Sequence, residues 1–233
     1  MKRAVDVWRG RGETASFVRY ELEIDAEATL LDALELIRTG SAPDLGYRHS
    51  CHHGSCGTCT VRLDGREVLA CITNFDSLYT KTPEHIPRVE ALAVFAHDFD
   101  LVIDPALLFR SLPENKTHLK ESETLEASSR PSGIEAYTRF EDCIECGACV
   151  SVCPVMSSID KPFMGPAALA AIRRESINRP ERKKQMYHIA AQDDGFAACE
   201  RHLDCSRVCP QAVYPAKHIA LLKRDIESPS KQS

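Results

Sequence analysis

Apolar and polar residues alternate with a period of two from Ala4 to Trp8 and from Phe17 to Ile24, which predicts two half-buried strands. The spacing turns helical from Leu30 to Ile37, where Thr29 and Asp32 are set as a capping box and Gly40 as the stop. Thr60–Leu63 and Glu67–Ala70 flank Asp64-Gly65, a tight-hairpin dipeptide, so the second of these strands carries Cys71 back toward Cys51, Cys56 and Cys59. Beyond Asp104 the pattern is helical. Proline stands at first-turn positions there: Pro166 before AALAAIRRESI, Pro180 before ERKKQMYHIAAQ and Pro215 before AKHIALLKRDI. The change of period near residue 105 predicts two domains, 1–104 and 105–233, with Ser122–Gly133 as an irregular connector and Glu227–Ser233 as a polar tail.

Even the best apolar run, Ala167–Ile172, is far short of the roughly 18 residues a membrane helix needs. The formal net charge is −5, and no basic amphipathic face appears. Nucleic acid is therefore not an expected partner, and any membrane association has to run through another subunit. The opening MKRAVDVWRGRGE has basic residues but no apolar stretch of the secretory kind, so a reducing compartment is expected.

In that setting the chemistry lies in the 11 cysteines, an odd count that disulfides would leave unbalanced. CHHGSCGTC is C-x4-C-x2-C, and Cys71 follows 12 residues after Cys59, the plant-type [2Fe–2S] spacing for Cys51, Cys56, Cys59 and Cys71. Gly54 and Gly57 are expected to supply the unusual backbone angles of a loop wrapped around a cluster. His49, His52 and His53 crowd this loop, but four cysteines already saturate two irons. The histidines are therefore read as tuning the cluster, capping the loop backbone or facing solvent.

CIECGACVSVCP is C-x2-C-x2-C-x3-C-P, the bacterial ferredoxin run whose fourth cysteine serves the other cluster. A second half-motif, C-x5-C-x3-C-P, covers Cys199, Cys205, Cys209 and Pro210, and relates to the first by pseudo-symmetry. Crossing the two assigns Cys143, Cys146, Cys149 and Cys209 to a [4Fe–4S] cluster. Cys153, Cys199 and Cys205 remain, because His202 occupies the place of the missing cysteine. Three thiolates suit a [3Fe–4S] cluster, and the competing reading has His202 ligating a fourth iron. Zinc does not fit seven interleaved cysteines with two C-P endings.

The order of a plant-type set, a linker and two crossed bacterial-type sets resembles the iron–sulfur subunit of succinate dehydrogenase and fumarate reductase. YRHSCHHGSCGTC, DLVIDPALLFRSLPENKTHL, GPAALAA and CSRVCP carry the likeness across nearly the whole chain. The resemblance implies an α+β architecture, with an N-terminal β-grasp plant-type ferredoxin domain and a C-terminal all-helical bacterial-type ferredoxin domain. It further implies a flavoprotein partner with FAD that interconverts succinate and fumarate, and a membrane anchor with a quinone site and often haem. The subunit would lie peripherally on the cytoplasmic face of the cytoplasmic membrane, with electrons passing between flavin and quinone through the three clusters in series.

The resemblance also carries quinone-side candidates. Pro154 follows the first cysteine of the three-thiolate set, and Lys223 stands 14 residues after Cys209. Ser158 departs from ubiquinone-linked relatives, which have tryptophan there, and so tilts the reading toward a menaquinone-type acceptor. His202 replaces a small or aliphatic residue and is a candidate proton relay. No dinucleotide fingerprint, nucleophile elbow or phosphate loop occurs, so dicarboxylate chemistry is not expected in this chain. The alternatives are the same relay in a soluble fumarate reductase with another donor, or a free-standing multi-cluster electron carrier.

Overall fold

The structure, a computed structural model, describes residues 1–79, 84–110, 143–158 and 162–228. The expected connector Ser122–Gly133 and most of the expected tail lie outside the described residues. The chain forms two compact units, Met1–Leu107 with Ile144–Val152, and the remainder.

In the first unit β1 (Lys2–Arg9) and β2 (Ser16–Glu23) pair antiparallel in continuous register from Lys2 opposite Glu23 to Arg9 opposite Ser16. Alternation decides which face is inward: Val5 and Val7 are fully buried. Helix α1 (Leu30–Thr39) follows, with the capping box in place: the Asp32 N–H donates to Thr29 Oγ1 at 3.2 Å, and the Thr29 N–H donates to Asp32 Oδ2 at 2.7 Å. Leu30, Leu34 and Ile37 join Val5, Val7, Phe75 and Val89 in one core.

β3 (Thr60–Leu63) and β4 (Arg66–Leu69) form the hairpin. Asp64 at φ 49° and Gly65 at φ 77° provide the two left-handed residues of its turn. The strand that closes the sheet is β5 (Arg88–Glu90), parallel to β1 and antiparallel to β3, giving a five-stranded mixed sheet in the order β2-β1-β5-β3-β4. With three residues it is too short to show a period, although its Val89 is fully buried. A separate hairpin, β6 (Ala96–Phe99) with β7 (Val102–Asp104), precedes the one-turn helix α2 (Ala106–Phe109). A second one-turn helix, α3 (Ala148–Ser151), is part of this first unit, and Ile144 and Cys146 pack against its core.

The second unit is helical in its described part: α4 (Pro166–Asn178), α5 (Lys183–Ala190), the one-turn α6 (Asp204–Arg207) and α7 (Pro215–Glu227). Pro166 and Pro215 stand in the first turns, as expected from the missing N–H of proline. Pro180 instead opens a 3-10 turn, Pro180–Arg182, ahead of α5. Leu169, Ile172, Met186, Ala190 and Leu222 form the core, and an Arg173–Asp225 ion pair ties α4 to α7. Among the described residues no helix is long and apolar enough to cross a membrane.

Candidate metal centres

None of the 11 cysteines is in a disulfide, so every thiol remains chemically available as a ligand. The expected [2Fe–2S] set lies wholly in the first unit. α1 and β3 bracket the Cys51–Cys59 loop, and the Ala70 N–H donates to the Cys59 carbonyl at 3.1 Å, which holds the Cys71 segment beside the loop. Upstream, the Tyr47 hydroxyl donates to Glu35 of α1, and the Tyr47 ring stacks on His49 with centroids 5.3 Å apart.

Cys51 Sγ accepts from the N–H groups of His53 at 3.5 Å and Ser55 at 3.4 Å. The His53 N–H is the main reason its thiol is pulled down to about 5, toward the thiolate that iron requires. Cys59 is buried, and burial pushes its thiol up to about 12, with Cys71 and Cys56 near enough to add to the effect. A site with one thiolate-prone cysteine and one buried thiol whose ionisation is opposed is matched to a cation, which favours the thiolate. The His53 ring nitrogen Nδ1 meets the Cys51 carbonyl, and His49 Nδ1 lies 2.9 Å from His52 Nε2. Of these histidines, His53 holds the loop backbone, and both His52 and His53 are exposed to solvent.

Gly54 and Gly57 take φ values of 79° and 72°. At Gly57 space is limiting as well, because a Cβ there would sit 2.6 Å from Cys146 Cβ and 2.9 Å from the Ile144 carbonyl oxygen. The first ligand loop thus packs directly on the segment that carries Cys146 and Cys149. Of the expected [4Fe–4S] set, Cys146 and Cys149 belong to the first unit, Cys143 and Cys209 to the second. Cys209 Sγ accepts from the Val213 N–H at 3.3 Å.

The two half-motifs repeat in backbone conformation as well as in spacing. Glu145 (φ 52°) and Gly147 (φ 79°) surround Cys146, while Arg201 (φ 61°) and Leu203 (φ 69°) surround His202. A one-turn helix follows each, and the N–H of Ser151 donates to the Gly147 carbonyl as that of Arg207 does to Leu203. Non-glycine residues adopt positive φ at a cost, so this recurrence at Arg201 and Leu203 reflects a loop shaped for a cluster. His202 therefore occupies the backbone position that Cys146 holds in the first half-motif.

Cys153, Cys199 and Cys205 line one pocket in the second unit, with an empty volume, partly open to solvent, of about 350 Å³. Burial pushes the thiols of Cys153 and Cys205 up, Cys205 to about 11, and each is raised further by Cys199. Three soft donors lining one hollow suit an iron–sulfur cluster with three thiolate ligands. Pro154 and His202 also line this pocket, whereas Ser158 and Lys223 are absent from its described lining. The His202 Nε2 lies 3.2 Å from Glu200 Oε2, with 42 % of its side chain exposed, so the imidazole engages a carboxylate at the rim. Ser158 is exposed, and Lys223 is within 3.8 Å of Glu227 on the α7 surface.

Comparison with known proteins agrees with both sets of motifs. Residues 4–110 match the family model described as 2Fe-2S iron-sulfur cluster binding domain, and residues 139–213 match the 4Fe-4S dicluster domain. The fumarate reductase iron-sulfur subunit of Escherichia coli is 36% identical, over 86% of this chain and 82% of the relative. That of Mycobacterium tuberculosis is 33% identical, over 94% and 90%. The succinate dehydrogenase iron-sulfur subunit of Coxiella burnetii is 28% identical, over 89% and 88%. A chain of the Mycobacterium smegmatis Sdh1 complex in the apo form shares the fold, with a TM-score of 0.76 at 21% identity, over 99% of this chain and 98% of that one.

Proposed function

From the premise that the chain belongs to the iron–sulfur subunits of fumarate reductases and succinate dehydrogenases, we propose that it relays electrons between a dicarboxylate-handling flavoprotein and membrane quinone. It is a subunit of an oxidoreductase and carries [2Fe–2S], [4Fe–4S] and [3Fe–4S] clusters. The observation that carries this reading is the division of 11 disulfide-free cysteines into sets of plant-type and crossed bacterial-type spacing on two successive cluster-domain matches.

In this reading Cys51, Cys56, Cys59 and Cys71 hold the [2Fe–2S] cluster. Cys143, Cys146, Cys149 and Cys209 hold the [4Fe–4S] cluster, and Cys153, Cys199 and Cys205 the [3Fe–4S] cluster. Residues 1–104 form a plant-type β-grasp ferredoxin domain and 105–233 a helical ferredoxin domain. The sheet order β2-β1-β5-β3-β4 around α1 supports the first assignment, and the helices α4, α5 and α7 support the second. The flavoprotein carries FAD and takes electrons from or gives them to the Cys51 cluster. A membrane anchor carries the quinone site, with or without haem, on the cytoplasmic face.

Bound clusters supply one-electron steps in series, while the chain sets their potentials. A plant-type cluster can lie roughly 400 mV below the hydrogen electrode. N–H groups aimed at Cys51 Sγ favour the more negative, reduced cluster, and so raise this value toward that of the dicarboxylate couple. Pro154, Ser158, His202 and Lys223 form the quinone side, with His202, paired to Glu200, as proton relay. His202→Ala tests that role: quinone turnover should fall while the three-iron spectrum persists, and unchanged turnover rules the relay out.

The decisive experiment is purification of the native complex with assay of quinone-linked succinate oxidation and fumarate reduction. Co-purification of a flavoprotein and either activity is expected. A solitary multi-cluster species would point to a free-standing carrier instead.

A further inference from the structure

Glu67 is a buried carboxylate to which the electron-relay function assigns no role. It lies on β4, four residues before Cys71, with 1 % of its side chain exposed. Its Oε1 accepts from Ser151 Oγ at 2.8 Å, across 84 residues of sequence. Ser151 closes α3, two residues after Cys149, and its Oγ accepts from the Ala93 N–H at 3.0 Å. The Ser151 hydroxyl proton is thereby committed to Glu67, and the Cys146–Cys149 segment is fastened to the sheet that also leads to Cys71.

Charge around Glu67 is incompletely balanced. Arg62 Nε lies 3.3 Å from Glu67 Oε1, while Arg62 Nη1 lies 3.2 Å from Glu90 Oε1, so one guanidinium serves two carboxylates. Glu67 Oε2 has no hydrogen-bond partner among the described residues. Glu90 is one-third exposed and partly screened by water, whereas Glu67 is shielded from it, so the surplus negative charge acts most strongly where Glu67 sits. Leaving a carboxylate buried on shared compensation is costly, and an apolar residue of similar size would fill the space without that cost.

We propose that Glu67 is a positioning residue for the four-iron cluster: through Ser151 it locks the Cys146–Cys149 ligand loop onto the sheet, and its buried charge holds that cluster's reduction potential down. The proposal rests on the ligand assignment above, since the charge acts on whichever cluster this loop carries. Reduction adds an electron, which a nearby unscreened negative charge opposes.

EPR-monitored redox titration of the purified complex tests it, with wild type beside Glu67→Gln, Ser151→Ala and Arg62→Gln. Glu67→Gln should keep all cluster signals and raise the four-iron midpoint potential. Ser151→Ala retains the charge and should not raise it, and Arg62→Gln, which removes compensation, should lower it. An unchanged midpoint in Glu67→Gln, or an equal rise in Ser151→Ala, overturns the proposal. Should Glu67→Gln fail to assemble, Glu67→Leu, which fills the space without a charge, takes its place: a raised four-iron midpoint supports the charge effect and an unchanged one refutes it. Cys149→Ala, which leaves no ligating atom, is the control for the premise, because an unaltered four-iron signal after that change would refute the ligand assignment rather than the role of Glu67.

Discussion

Gly57 combines two constraints that separate in their consequences. Its φ of 72° alone makes any side chain unfavourable, and its distance to Cys146 leaves no room for one. Gly12 has φ 59° with nothing within 4 Å of a Cβ, so it isolates the first constraint. Gly12→Ala should cost about 1 kcal/mol, the ordinary penalty of a left-handed alanine. Gly57→Ala should cost several times that and bleach the [2Fe–2S] absorbance, because the obstructing atoms include the backbone of a ligand segment. Urea unfolding and visible spectra of both variants check this, and equal costs would mean that the close approach is unimportant. The need for glycine in the Cys51–Cys59 loop follows from its spacing, but the identity of the neighbour does not, since Cys146 is 89 residues away.

At the scale of elements, α1 depends on its first turn. The reciprocal bonds of Thr29 and Asp32 satisfy N–H groups that the helix itself leaves open, so Thr29→Ala should lower stability by about 1 kcal/mol, measured as a shift in the urea midpoint. Helix α7 is sensitive to pH through His218, 8% exposed, where burial and the nearby Arg173 and Lys217 push the imidazole down to about 4. Its folded value is thus below that of an unfolded histidine, about 6.5. The neutral ring therefore supports folding fully above pH 6.5, and the support is lost as pH falls through about 4. The urea midpoint of the second unit should drop between pH 7 and pH 5, and drop less in His218→Gln; identical slopes would exclude His218 as the cause. The capped helix, the hairpin and the proline-led helices were legible because each is encoded by residues within a few positions of one another. β5 was not, for its three residues have no period and acquire strand geometry only between β1 and β3.

For the whole molecule, the distribution of ligands between the units governs what one substitution can disturb. Cys153, Cys199 and Cys205 share a pocket within the second unit, so Cys205→Ala should abolish the three-iron EPR signal and leave the [2Fe–2S] signal intact. Simultaneous loss of both would contradict the separation of the sets. Cys146 and Cys149 fall in the first unit although they are neighbours in sequence of Cys143 and Cys153, which fall in the second. Sequence by itself determined the class of chemistry: cysteines at C-x4-C-x2-C and C-x2-C-x2-C-x3-C-P spacing announce iron–sulfur clusters, in agreement with the two domain matches, because ligand geometry within a loop is local and covalently limited. His202 was likewise visible as the interruption of a repeat, and left-handed residues on either side of it match those that flank Cys146. Only the tertiary structure decided that Ile144–Val152 belongs with the N-terminal sheet and that Glu67 is buried beneath Ser151. Those outcomes depend on packing and desolvation among residues far apart in the chain, and such forces leave no periodic trace in the order of amino acids.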